Sequence, residues 1–247
     1  MLIAGKRLIV VLSGITLLLA SGALLLIAIT EPEADPRCQQ LIAATVAGDS
    51  DRIHSLLAES GRVNCRSDDW AVSGVSGSAT PIVIAAILGH SEVISELVEA
   101  GADVNQALHN ASNPSLNGAT PLILMATTVE TNMLRLLVVA GADIEAVNDD
   151  GFNALFVAVS TECRECIEQL LRLGADPNSR LAKGAMTPLS FAAATKSPEI
   201  VKALLDGGAD PRLRLTSGDT ALGLARKRDD EHRQSIVKLL TEGLTGN

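Results

Sequence analysis

The tripeptide Gly-Ala-Asp occurs four times, beginning at Gly101, Gly141, Gly174 and Gly208. The intervals, about 40, 33 and 34 residues, fall within the range of repeat-built folds. A second marker keeps step: Thr80-Pro81-Ile82, Thr120-Pro121-Leu122, Asn153-Ala154-Leu155, Thr187-Pro188-Leu189 and Thr220-Ala221-Leu222. Two motifs in phase mean that one short unit is made again and again. A unit this small cannot bury its own apolar face, so the copies must stack.

Each marker has a mechanical purpose. Thr starts a helix because its hydroxyl accepts a backbone N–H that otherwise lacks a partner. Pro follows at the first helical position, where it has no hydrogen bond to lose. A second helix then shows an apolar stripe, Val93, Ile94, Leu97 and Val98 in one copy and Ile200, Val201, Leu204 and Leu205 in another. The glycines at 101, 141, 174 and 208 stop that helix in the left-handed conformation that Gly tolerates best. Composition agrees. Hydrophobic residues make up 47% of the chain but aromatics only 2%. Ala-rich stretches such as Ala85-Ala86 and Ala192-Ala193-Ala194 suit helices packed closely together.

Clear units run at 77–105, 117–145, 151–178 and 184–211. A degenerate unit precedes them, from Leu41-Ile42-Ala43-Ala44 to Val63-Asn64, and a truncated one follows, from Gly218 to Leu240. The pattern resembles the ankyrin-repeat family, whose motif opens with Gly-x-Thr-Pro-Leu-His and ends with Gly-Ala-Asp-Val-Asn. The resemblance covers about 38–243. It implies an all-α solenoid of helix-turn-helix units with hairpin fingers, binding a protein partner through fingertips and the inner face of the first helices. The family's early His is replaced by Val83, Ile123, Phe156 and Ser190, and the unit opening with Asn153-Ala154 is the least regular. Terminal units of such stacks need a polar outer face. The run Arg226 to Arg233 fits a solvated cap.

Ahead of the repeats lies an uncharged apolar run, Leu8 to Thr30, preceded by Lys6 and Arg7 and followed by Glu31, Glu33 and Asp35. As a helix rising about 1.5 Å per residue it would cross a hydrocarbon layer about 30 Å thick. The basic flank places residues 1–7 in the cytoplasm and the repeats outside it. The run reads as an uncleaved anchor or as a cleaved signal peptide, with small residues at Ala20 and Gly22, or Ala28 and Thr30, available to a peptidase. Residues 31–37 form an acidic linker with Pro32 and Pro36, and 244–247 a short tail. The repeat domain is thus expected in the periplasm, held at the inner membrane or released.

Finger length singles out two neighbouring connections. Asn178 to Thr187 is short, whereas Asn64 to Thr80 and Asn105 to Thr120 are long, and these two insertions are expected side by side. The first carries Trp70, the only Trp, which serves either as an interface anchor or as a cover for its own loop. Candidate partner-binding residues at fingers and inner helices are Trp70, Ile87, Leu88, His109, Thr127, Thr128, Asp149, Asp150, Phe152, Ser160, Lys183 and Met186. Asn110-Ala111-Ser112 is a formal glycosylation sequon.

The four cysteines suit disulfides in an exported chain. Cys38 and Cys65 bracket the degenerate unit and could staple it. Cys163 and Cys166 form a C-x-x-C at a helix start. That pair admits redox chemistry, a local disulfide, or simple replacement of a buried apolar residue by Cys166 and of a turn residue by Cys163. No further zinc ligands stand at suitable spacing, and no phosphate loop, H-E-x-x-H or G-x-S-x-G appears. His54, His90, His109 and His232 are scattered. A formal charge of -9 disfavours nucleic acid. The expectation is a non-enzymatic, protein-binding module with no cofactor, metal, nucleic acid or small-molecule substrate. An immunity protein against an extracytoplasmic toxin and a thiol-redox accessory using Cys163 and Cys166 are the alternatives.

Overall fold

The computed structural model describes residues 9–12, 15–20, 23–27, 35–72, 75–180 and 186–245. Six helix pairs are stacked in order: α1 (Pro36–Ala47) with α2 (Ser50–Ser60), α3 (Pro81–Leu88) with α4 (Ser91–Glu99), and α5 (Pro121–Met125) with α6 (Thr131–Val139). Then come α7 (Ala154–Ser160) with α8 (Arg164–Arg172), α9 (Pro188–Thr195) with α10 (Pro198–Asp206), and α11 (Ala221–Arg226) with α12 (Arg233–Thr245). Odd-numbered helices form one row, each packed on the next, and even-numbered helices form the other. The core runs between the rows as one continuous aliphatic cluster that includes Leu41, Ile53, Ile82, Ile94, Leu122, Leu137, Leu155, Leu204 and Leu240. Each such side chain contributes about 1.5–3 kcal/mol by leaving water.

The local signals act as their chemistry requires. Thr120, Asn153, Thr187 and Thr220 each accept an N–H three residues on. At Thr187 the bond is reciprocal, because Ser190 Oγ accepts the Thr187 N–H at 2.9 Å. A small hydroxyl at the family's His position therefore makes a capping box. Thr80 is the exception: its buried hydroxyl has no hydrogen-bond partner. Gly101, Gly141, Gly174 and Gly208 all have φ between 84° and 100°. The first helix begins at Pro36, capped by Asp35, so the linker expected over 31–37 ends earlier; residues 31–34 lie outside the described residues.

The fingers are tied by a ladder of side chains. The Asp103 N–H is accepted by Asn64 Oδ1 at 2.7 Å, that of Asp143 by Asn105 Oδ1 at 2.8 Å, and that of Asp210 by Asn178 Oδ1 at 2.8 Å. The same Asn amides donate back to the carbonyls of Gly101, Gly141 and Gly208. The irregular unit keeps the rung with different chemistry. Glu145 Oε1 accepts the Asp176 N–H at 2.8 Å, and its other oxygen accepts from Asn153 Nδ2 at 2.9 Å. Asn153, where Thr usually stands, thus supplies a donor to the carboxylate that replaces Asn.

One expectation is left without support here and one is corrected. Among the described residues of the apolar run from Leu8 to Thr30 there is no helix. Its described backbone lies in three antiparallel strands, β1 (Ile9–Leu12), β2 (Ile15–Ala20) and β3 (Ala23–Ile27). Residues 13, 14, 21 and 22 lie outside the described residues. Ile9, Val10, Val11, Ile15, Thr16 and Ile27 are β-branched, which favours extended backbone. Among the described residues no helix is long and apolar enough to cross a membrane. Nor is the repeat array wholly helical. The first insertion is a hairpin of β4 (Ser67–Val72) and β5 (Val75–Ala79).

Candidate functional site

Both insertions are structured, and they lie side by side. Ser78 and His109 exchange backbone hydrogen bonds, and the Ser112 N–H donates to Ser76 O at 2.9 Å. Arg66 clamps the pair, donating to Ser78 O at 3.1 Å and to Gln106 Oε1 at 2.7 Å. Gly77 permits this closeness, and Gly118 permits that of the second insertion to the next finger. A Cβ at Gly77 would sit 2.6 Å from His109 O, and one at Gly118 would sit 2.6 Å from Asp149 Oδ1 and 2.7 Å from Asp149 N.

Trp70 belongs to the core of this arrangement, not to an interface. On β4, opposite Gly77, it retains only 4% exposure. Its indole N–H has no partner, which costs about 1–3 kcal/mol. An indole hides about 200 Å² of surface, worth about 5 kcal/mol at 25 cal/mol per Å². Burial therefore wins, and the interface reading of Trp70 is withdrawn.

Beneath the inserted layer lies a cavity of about 560 Å³. Its floor comes from the ends of three successive first helices: Ile87 and Leu88 on α3, Ile123 and Leu124 on α5, and Val157 and Ser160 on α7. Val75 of β5 and Ser115 and Leu116 of the second insertion form a wall, and Asn148, Asp150 and Phe152 of the next finger another. Thr127 and Thr128 follow α5 at the edge. Ile87, Leu88, Leu116, Leu124, Phe152 and Val157 are each partly exposed, so the groove offers apolar surface that is only half withdrawn from water.

All three Phe residues of the chain build one stack along this face. Phe152 lies on Phe156 with ring centroids 4.3 Å apart, and Phe156 on Phe191 at 4.7 Å. Lys196 covers the Phe191 ring at 5.6 Å and donates to Ser160 O at 2.6 Å. The stack fixes Phe152 at the groove.

Of the residues expected to bind a partner, the structure gathers Ile87, Leu88, Thr127, Thr128, Asp150, Phe152 and Ser160 around this one cavity. Asp149 is exposed beside it. His109 is exposed on the second insertion, with its backbone held by Ser78, and Met186 is half-buried away from the lining. Lys183 lies outside the described residues. Sequence reasoning missed Val75, Ser115, Leu116, Leu124 and Val157. The length of the insertions was the available signal for the first three, and the turn of helix shared with Ile87 and Thr128 for the others.

The cysteines pair as Cys38–Cys65, with Cα atoms 5.8 Å apart, and Cys163–Cys166, at 5.2 Å. The first bridge staples α1 to the finger after α2. The second sits at the start of α8, where Cys163 Sγ accepts the Cys166 N–H. Thr128 O lies 2.8 Å from Cys166 Sγ; a disulfide sulfur carries no proton, so this is a contact without a donor. Exposures of 7% and 0% shield both sulfurs from an attacking thiol, which opposes the redox reading. Glu162, just before the pair, has φ of 58°, a conformation that Gly89 occupies in an earlier unit. Among the described residues no group of His, Cys, Asp and Glu could hold a metal ion.

Family models match the chain as ankyrin repeats, over 106–181 for a three-copy model and over 79–110 and 186–214 for single repeats. A solved structure, the ankyrin repeat domain of Bcl-3, described as a unique member of the IkappaB protein family, is 30% identical with a TM-score of 0.70. That match covers 83% of this chain and 85% of the other. The chain belongs to the ankyrin-repeat family. An ankyrin repeat domain from Acinetobacter baumannii AYE is 25% identical with a TM-score of 0.70, over 82% of this ankyrin-repeat chain and 96% of that one. The ankyrin repeat protein EF0377 shares the fold at 22% identity and a TM-score of 0.66, over 83% and 98% of the two chains. No curated protein sequence matches. Ankyrin repeats are in general protein–protein interaction modules, and no enzymatic family is indicated.

Proposed function

We propose that this ankyrin-repeat protein is a non-catalytic adaptor that holds a partner protein outside the cytoplasm, through the groove beneath its two inserted fingers. The observation that carries the reading is the groove itself. Half-exposed apolar side chains from α3, α5 and α7 converge there under a wall built only where the repeat is lengthened. Such surface binds when a partner completes its burial. The direct test is site-specific crosslinking from Thr127 in the full-length chain in its native cells. Leu88→Asp with Val157→Asp should abolish the crosslinked species while far-ultraviolet circular dichroism still shows the folded helical array. An unchanged crosslink would refute the site.

Export is supported by the basic flank, the length of the apolar run and two cysteine pairs at bonding distance. Three short strands leave two open edges, and a hydrocarbon layer forbids unpaired backbone. We therefore infer that residues 8–30 become helical when a membrane takes them up, as anchor or signal. Protease added outside the inner membrane should degrade the repeats. Protection in intact cells with a permeable outer layer would exclude this topology.

A further inference from the structure

We propose that the occupant of the groove is an amphipathic helix of the partner, carrying basic side chains beside its apolar anchors. This deepens the function proposed above and rests on it. Three observations converge. The floor of the groove is aliphatic and aromatic, with Leu88, Leu124, Phe152 and Val157 partly exposed, and a volume of about 560 Å³ accepts a few side chains from one or two turns of helix. Among the described residues the charge of the lining is one-sided: Asp150 is the only ionisable residue there. Asp149 stands next to it, exposed, and neither carboxylate has a hydrogen-bond or ion-pair partner through its side chain among the described residues. Lys196, the cation near Ser160, is committed to Ser160 O and to Glu162 at 3.7 Å. A partner that fills the floor therefore meets two negative charges at the rim that no described side chain compensates, and a Lys or Arg one turn from its apolar anchor satisfies them.

The backbone argues for a helix over an extended strand. Strand addition needs an open ladder edge. Here Ser78 of β5 already exchanges hydrogen bonds with His109, and Ser76 O takes the Ser112 N–H, while the floor is made of helices, which present no row of alternating N–H and C=O groups for a strand to pair with. A helix brings its own satisfied backbone and asks only for apolar contact and charge.

The experiment is selection of a displayed library of about 16-residue peptides on the immobilised full-length protein, with sequencing of the bound pool. The expected pool is enriched in apolar residues spaced three and four apart with Lys or Arg within one turn, and depleted in Asp and Glu. On the Asp149→Asn, Asp150→Asn double variant the basic enrichment should fall about 3–10-fold, with the apolar pattern retained, because rim charges steer and select more than they hold. An apolar pool indifferent to charge, or one rich in Asp and Glu, overturns the inference yet leaves the groove as the binding site. A pool with alternating apolar residues overturns the helical mode. Peptides captured equally by the Leu88→Asp, Val157→Asp variant, or no enrichment at all, overturn both this inference and the function on which it rests.

Discussion

The two halves of the stack are built to one plan but secured differently. The amino-terminal half carries the long fingers, most of the groove and the Cys38–Cys65 staple. The carboxy-terminal half has short fingers and ends in charge. In its last unit Lys227 pairs with Asp219 at 2.9 Å, and Arg228, with its side chain only 7% exposed, pairs with Asp230 and donates to Ala193 O. The run Arg226 to Arg233 was expected as a solvated cap, and Arg228 departs from that by turning inward to close the end of α9. One end carries a covalent staple, and the other relies on its packed core, with ion pairs only at its rim. The lesson is that a stack tolerates elaboration where something else keeps the terminal unit in place.

Three measurements can break or sharpen this contrast. The largest effect is expected from Cys38→Ala with Cys65→Ala. The bridge closes a sequence separation of 27, and a loop of that size is worth about 3.5 kcal/mol in chain entropy. Amide exchange should quicken through α1 and α2 and stay unchanged in α11 and α12, because each unit leans only on its neighbours. Equal quickening at both ends would show one cooperative block instead.

A smaller difference should separate two glycines. Gly118→Ala forces a Cβ against Asp149 at positive φ and should cost about 2–3 kcal/mol. Gly174→Ala has the same handedness but nothing within 4 Å, and should cost about 1 kcal/mol. Chemical denaturation compares them, and equal losses would mean that the long fingers are not tightly packed.

The smallest effect concerns pH. The Lys227 hydrogen bond holds the Asp219 carboxyl below its usual range, and the Arg228 bond does so for Asp230. A lowered folded value means that the stabilisation is present above the unfolded pKa of about 4 and is lost as pH falls through the folded one. Acidification from pH 5 towards 2 should therefore loosen α11 and α12 before the stapled end, as read by exchange. Asp103, lowered by Gln106 and the Asn105 N–H, adds a response of the same sign in the long-fingered half. Loosening of α1 and α2 first would reverse the assignment.

The repeat was legible because its signals are local. A Thr before Pro and a Gly after a helix mean the same thing wherever they occur, and they fixed the units. Residues at the ends of first helices, such as Ile87 and Thr128, were legible for the same reason, since repeat phase alone puts them on one face. Trp70 was not. Whether its ring meets solvent depends on which face of the β4–β5 hairpin turns inward, and that is set by contacts with the second insertion. The Phe stack escaped notice because Phe156 and Phe191 are not at equivalent positions in their units. The apolar run before the repeats was ambiguous, since length speaks for a helix while β-branching speaks for strands.

The finger ladder has an evolutionary corollary. Where every rung is spelled Asn to Gly-Ala-Asp, a unit can be duplicated or deleted and the seam closes on identical chemistry. The seam after Glu145 is different, because its carboxylate also takes the Asn153 amide of its own neighbouring helix. Glu145 and Asn153 must be inherited together, which makes this junction the place where the array resists reshuffling.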